Sequence, residues 1–423
     1  MALLSRSDTL IDGAGVRVVR SFLGLAMAWE AMRFLLNDWI DGFFQPGSFH
    51  FLYFGFEWVR PWPGYGMHIQ MALLCGLALV MALGWKARAC SALLALGWAH
   101  VFLIDQANYL NHLYLVVLLL ILFAWIPLQA GRVPVWGLWL LRFQVGLVYV
   151  LGGVAKISDD WLAGEPMTQW MADRAGMPVI GEWLASAGAG ITLSWAGLIF
   201  DLVVVPMLLW RRTRALAFAL TVVFHGFNAV LFNIGIFPWL MLAATTVFFV
   251  PSWPRVLLRQ EAVSPTGGRY LGRVGVAMLV LWAGVQVVVP LRHWAYPGDV
   301  AWTEEGHRFS WRMKLRSKKG RVFFHVLDRR TGEQEKLDPC QDISLHLCRK
   351  MSTRPDMILQ YAHHIRDARV AAGQDLVAVH ADAIGRLNQR EPQRLVNPRV
   401  DLARVQRNLS PAPWIVPLLE REE

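Results

Sequence analysis

The chain has 423 residues, of which 55% are hydrophobic and only 17% charged, and its mean hydropathy is +0.38. Soluble domains carry about 25% charged residues, so this composition argues against an ordinary globular enzyme, and the 21 tryptophans suit many membrane-interface positions. The net charge of +10 is more simply a topology signal, because arginines border apolar segments, and no nucleic-acid partner is expected.

A helix needs roughly 20 mostly apolar residues to cross the hydrocarbon layer. Such runs fall near residues 17–36, 67–85, 87–104, 110–127, 134–155, 189–210, 214–235, 236–250 and 274–291. No A-x-A-like cleavage site follows the first run, so it reads as a spanning helix and not as a signal peptide. The eighth run is short, and the expected count is about nine.

Loop charges orient the bundle. Arg6, Arg17, Arg20, Lys86, Arg88, Arg132, Arg211, Arg212, Arg214, Arg255, Arg259, Arg269 and Arg273 fall on one side. Asp38, Asp41, Glu57, Asp105, Asp159, Asp160, Glu165, Asp173 and Glu182 fall on the other. Lysine and arginine prefer the cytoplasmic side, which makes the N-terminus cytoplasmic and sets everything after Leu291 outside. The expected fold is thus a polytopic α-helical membrane protein, with a transmembrane domain over 1–291 and an extracytoplasmic α+β domain over 292–423.

In the second domain, 309–315 (FSWRMKL) and 322–327 (VFFHVL) read as strands of a hairpin turning at Lys-Lys-Gly. Residues 351–372 have helical spacing, with Met357, Ile358, Tyr361 and Ile365 on one side. Residues 376–380 (LVAVH) read as another strand. Four cysteines exclude a disulfide-dense scaffold. Cys340 and Cys348 can pair only outside the cytosol, and the sequence does not decide whether they do.

Ionisable groups inside membrane helices are costly, so each is a functional candidate. Lys156 ends the run FQVGLVYVLGGVAKI. It either snorkels to the headgroups or, held away from water, serves as an amine general base. Gly152 and Gly153 before it allow close approach of a backbone or ligand. Asn111 is a good N-cap for the helix NHLYLVVLLL, with His112 in its first turn. His225 and Asn228, three apart in TVVFHGFNAVLFNIG, share a helix face, serving either a site or interhelical hydrogen bonding. Glu30 and Arg33 read as a structural pair, and Asp201 receives no role. The topology sets Asn111, His112, Lys156 and the His225/Asn228 face at one depth beneath the tail, which points to a cavity. No metal-ligand spacing, P-loop or Ser–His–Asp pattern is present, and no metal is expected.

Longer segments carry a more specific signal: FGFEWVRPWP (54–63), NHLYLVVLL (111–119), LLRFQVGLVYVLGGVAKISDDWLAGEPM (140–167), FHGFNAVLFNIGIFPWLMLA (224–243), PLRHWAYPGDVAWTEEGHRFSWRM (290–313), PDMILQYAHHI (355–365) and LVNPRVDLA (395–403). Through them the chain resembles the vitamin K-dependent γ-glutamyl carboxylases and their bacterial relatives, also called the horizontally transferred transmembrane domain family, over roughly residues 20–410.

The resemblance implies a membrane enzyme using a reduced vitamin K-type quinone, O2 and CO2. A lysine deprotonates the hydroquinone, oxygen addition yields a strong base, and that base removes the γ-proton of a glutamate that then takes up CO2 as the quinone epoxide leaves. Lys156 matches the family's base, and Asn111 and His112 match the residues beside it, with His112 assisting carboxylation. His225 and Asn228, with Gly152 and Gly153, match the cavity lining. Trp302, Glu304, His307 and Trp311 in WTEEGHRFSWRM are the candidates for holding the peptide glutamate. In a bacterial inner membrane the quinone would be a menaquinol arriving through the lipid, and the partner an exported glutamate-containing polypeptide arriving from the periplasmic side. The tail is shorter than that of the animal enzymes, so processive propeptide binding is not implied. Two other outcomes are compatible with the residues: epoxidase chemistry without glutamate carboxylation, and a non-catalytic protein that binds quinone or lipid.

Overall fold

The computed structural model describes residues 8–44, 48–232, 234–268 and 271–419; Arg6 and Arg269, used above for topology, lie outside them. The apolar runs form α1 (Ala14–Leu36), α2 (Gly66–Leu83), α3 (Ala87–Ile104), α4 (Asn111–Trp125), α5 (Val135–Val154), α6 (Ala187–Leu209), α7 (Arg214–Leu231), α8 (Phe237–Thr245) and α9 (Arg273–Leu291). By length and composition six can cross a membrane: α2, α3, α5, α6, α7 and α9. The expected nine is not reached, for reasons visible in the chain. α1 is long but carries Arg17, Arg20, Glu30 and Arg33. α4 has 15 residues, a rise of about 22 Å against ~30 Å of hydrocarbon. α8 gives way after nine residues to a 3-10 turn at Thr246–Phe248.

The two ends of the bundle differ. At one, β1 (Leu10–Asp12) pairs with β2 (Arg132–Pro134), Arg255 reaches Asp12 at 2.9 Å, and the turns at Gly84 and Gly131 pack on Arg20 and Arg17. At the other sits a four-stranded antiparallel sheet, with β3 (Lys318–Asp328), β4 (Gln334–Leu337), β5 (Val377–Leu387) and β6 (Gln393–Arg394) in the order β4-β3-β5-β6. Phe324 stands opposite Ala381 and Val326 opposite Val379. The sheet buries one face against α10 (Leu345–Met351) and α11 (Pro355–Ala371), where Met357, Ile358, Tyr361 and Ile365 are buried as their spacing predicts. A disulfide joins Cys340 to Cys348. Polar contacts fasten the sheet to the bundle: Arg390 grips Asp160 through both nitrogens (2.6 and 2.8 Å), and Gln106 donates to Asp356 at 2.9 Å.

The expected hairpin is corrected. Residues 309–315 are not a strand, and Lys318, Lys319 and Gly320 lie inside β3, whose antiparallel partners are β4 and β5. Gly320 is required by crowding and not by a turn, since a Cβ there would stand 2.4 Å from the Ser352 carbonyl oxygen. The strand 376–380 is longer than expected, running as β5 to Leu387.

Because β3 alternates, Phe324 is fully buried while Phe323 faces the other way. Truncating a buried phenylalanine typically costs about 3–5 kcal/mol. Phe324→Ala should therefore lower the thermal unfolding midpoint of the detergent-solubilised protein by several degrees, and Phe323→Ala by much less; equal shifts would contradict the assigned register.

Candidate functional site

One cavity of about 1490 Å³ runs from the interior of the bundle into the sheet domain. Its membrane part has largely apolar and aromatic walls, including Phe200, Phe224, Phe237 and Trp161. Lys156 stands at this wall, two residues past the end of α5, and is only 8% exposed. Its side chain does not snorkel outward. It turns back along α5, donating to the Gly152 carbonyl at 3.2 Å and to Asp201 Oδ2 of α6 at 2.5 Å. The Trp161 ring lies 5.5 Å from the ammonium. Asp201 is itself 5% exposed, so both charges are withdrawn from water and are tolerated only as a pair.

The glycines explain how a short aspartate reaches that far. A Cβ at Gly153 would come within 2.8 Å of Leu202, and one at Gly152 within 3.4 Å of Asp201 Oδ2. The close approach they permit is thus that of α6 to α5, and neither glycine lines the cavity.

His225 and Asn228 of α7 both line the cavity. Tyr149 of α5 bridges His225 Nε2 (2.9 Å) and Thr245 Oγ1 (3.0 Å), while His225 Nδ1 is buried without a hydrogen-bond partner. In the tautomer that has Tyr149 donating to Nε2, Nδ1 carries the ring proton and is a donor for a ligand oxygen. His112 and His225 both stand beside the Phe237 ring, at 6.0 Å and 6.1 Å respectively. Asn111 is not the N-cap expected of it: α4 is capped at Leu110 without a side-chain bond. Instead Asn111 Oδ1 accepts from the Tyr109 hydroxyl (2.8 Å), which accepts from the Phe309 N–H (2.7 Å). Asn111 is thereby tied to the segment entering the sheet domain. Glu30 and Arg33 pair at 2.8 Å, as expected, and also border the cavity.

Toward the sheet domain the lining becomes cationic, with Arg308, Arg312, Lys314, Arg316, Lys318, Arg349, Lys350 and Arg354. Among the described residues Glu304 is the one carboxylate lining that part, and it is fully engaged: Arg316 grips both of its oxygens (2.9 and 2.5 Å) and Lys318 stands at 3.7 Å. Burial alone would raise the Glu304 carboxyl, but Arg316, Lys318, Arg354 and Arg308 together outweigh it and hold it below the usual range. Burial pushes the Lys318 ammonium down to about 7 and the Lys350 ammonium down to about 8. His307 is held neutral by burial and by Arg316, which donates to it at 2.9 Å. Such a rim attracts carboxylates.

Of the residues singled out in the sequence, Asn111, His112, Lys156, His225, Asn228, Glu304 and His307 meet around this cavity. Trp302 does not: it is buried in the sheet-domain core, its indole donating to the Val416 carbonyl at 2.7 Å. Trp311 is buried in the bundle core against Tyr114. Both are held by core packing, although the Trp311 indole nitrogen, unlike that of Trp302, is buried without an acceptor. Sequence reasoning left Asp201 without a role, although an acid inside an apolar run was a signal, and it missed the cationic rim, whose members come from two stretches far apart in the chain, 308–318 and 349–354.

The HTTM domain model matches residues 9–253, and the vitamin K-dependent gamma-carboxylase lumenal domain model matches residues 272–421. No solved structure matches the chain. The two matched regions follow one another and together take in both the bundle and the sheet domain that share the cavity, and on that ground the chain belongs to the vitamin K-dependent γ-carboxylase family.

Proposed function

We propose that this protein oxidises a reduced naphthoquinone with O2 to the quinone epoxide and couples that oxidation to γ-carboxylation of a peptide glutamate. The sum is hydroquinone plus O2 plus glutamate plus CO2, giving epoxide, γ-carboxyglutamate and water. The observation that carries this reading is the buried Lys156–Asp201 pair on the wall of a cavity large enough for a naphthoquinone.

The residues fit the quinol. Phe200, Phe224 and Phe237 offer a flat apolar enclosure, and the buried Nδ1 of His225 offers a donor to a ring oxygen. When bound, the quinol supplies the reducing electrons and, after reaction with oxygen, the strong base that glutamate deprotonation requires. A hydroquinone hydroxyl is a phenol with pKa near 10, like tyrosine. Lys156 and Asp201 share one proton between them; shifting it onto Asp201 frees the amine, and the phenolic proton then goes to Lys156. The pair ends with two protons and stands beside the phenolate it has made. The apolar walls keep water from quenching that anion. His112 and Asn111 border the space between this pair and the cationic rim, and His112 handles the proton balance of the carboxylation half. Arg316 and its neighbours draw in the glutamate carboxylate.

The arginine-bearing end of the bundle faces the cytoplasm, and the sheet domain lies outside a bacterial inner membrane. The loop charges favour this orientation, and so does the Cys340–Cys348 disulfide, since such bonds persist in oxidising compartments. All nine apolar helices then contribute to the membrane domain, α1, α4 and α8 within it, and residue 291 ends that domain.

Membranes given menaquinol, O2, labelled bicarbonate and a glutamate-rich peptide should yield epoxide and labelled peptide. Lys156→Ala and Asp201→Asn should each lower epoxide formation by about 10²–10⁴-fold, the usual range for a general base; an active Asp201→Asn variant would refute the paired base. His112→Ala should reduce carboxylation more than epoxidation, and equal losses would count against its role. A cysteine at exposed Leu409 should react with an impermeant maleimide on the outer face, and one at exposed Leu258 only after permeabilisation. The opposite pattern would invert the topology.

A further inference from the structure

Beside the main cavity lies a second, of about 230 Å³, where the bundle meets the sheet domain. Its walls include Leu151 and Val154 at the end of α5 and Pro290 and Leu291 at the end of α9, and its mouth carries the exposed Trp294. Arg312 borders both cavities.

Arg312 comes from the irregular segment between α9 and β3, where Trp311 and Lys314 adopt left-handed backbone (φ 55 and 50°). Such conformations persist only where surrounding structure imposes them, and the buried Trp311 is the anchor here. Neighbouring arginines each find an acceptor within the chain, although Arg308 Nη2 is buried without one. Arg292 donates to the Val289 and Arg308 carbonyls, at 2.7 and 2.5 Å. Arg308 pairs with Asp356 at 2.9 Å and Arg316 with Glu304 at 2.5 Å. Among the described residues, Arg312 has neither a hydrogen-bond acceptor nor an ion-pair partner. Burial pushes its guanidinium down to about 10, and the more distant Asp299 and Glu304 do not offset that. Arg312 is half-buried, and a guanidinium withdrawn that far from water without an anion is costly, which points to an oxyanion supplied from outside the chain.

The surroundings say which one. Of the spanning helices, α9 has the least of its apolar window covered, 11%, which leaves apolar surface for lipid to lie against as far as the exposed Val288, one turn short of Leu291. The cavity opens where α5 and α9 end, the depth at which phospholipid headgroups lie, and an exposed tryptophan at its mouth is an interface residue. We propose that Arg312 seats the phosphate of a membrane phospholipid, whose headgroup occupies the smaller cavity and whose acyl chains lie along α9. The lipid phosphate then forms part of the partition between bilayer and reaction cavity.

Native mass spectrometry of the full chain in mild detergent, doped with phosphatidylglycerol, tests this. The unmodified protein should retain one phospholipid per chain, and Arg312→Gln should lower that occupancy at least tenfold. Arg349→Gln, which removes an exposed rim cation, should not. Leu291→Trp, which fills the cavity and leaves the charge in place, should also expel the lipid, guarding against a misfolded Arg312 variant. Equal retention by the unmodified protein and Arg312→Gln would overturn the proposal. So would delipidated protein stabilised by bicarbonate or inorganic phosphate in an Arg312-dependent manner with no phospholipid retained, because the seat would then serve a free anion.

Discussion

An ammonium and a carboxylate enclosed together in an apolar wall constrain most of what surrounds them. Neither Lys156 nor Asp201 could be buried alone without a large desolvation cost, whereas the pair is net neutral wherever its proton resides. The 2.5 Å separation depends on α5 and α6 approaching closely, and that approach depends on Gly152 and Gly153. Loss of one partner would leave the other a charge without solvent or counter-ion. The same enclosure gives the pair its chemical use, since a proton can move within it without creating a new buried charge.

A second constraint is the change of surroundings along a single cavity. Near Lys156 the walls are aromatic and suit a flat lipid-soluble ring; near Arg316 they are cationic and suit carboxylates. Reactants of opposite polarity can therefore reach one another from opposite directions. Asn111, held through Tyr109 to the backbone of Phe309, stands at the junction. The Asp160–Arg390 ion pair ties the sheet domain to the bundle as well.

Much of this arrangement is legible in the sequence because hydrocarbon is a strict solvent. Apolar runs predicted the helix positions, and charged loops separated the two ends. Lys156, His112, His225 and Asn228 stood out because polar groups there need a reason, and the bundle does bring them around one cavity. What was not legible depended on tertiary context. The alternation in FSWRMKL resembles a strand, but Trp311 is drawn into the bundle core and the backbone turns left-handed at Phe309, Trp311 and Lys314. Trp302 looked like a ligand contact and is core. Asp201 could not be assigned because its partner lies 45 residues away, just past the end of another helix.

The central claim is that the Lys156–Asp201 pair takes a proton from a bound hydroquinone. The most direct measurement is infrared difference spectroscopy of the protein in lipid on anaerobic addition of a reduced naphthoquinone, with O2 withheld so that the deprotonated quinol accumulates. The account predicts a new protonated-carboxyl carbonyl band that is absent from the Asp201→Asn variant. A spectrum in which the quinol binds but no carbonyl band changes would contradict it.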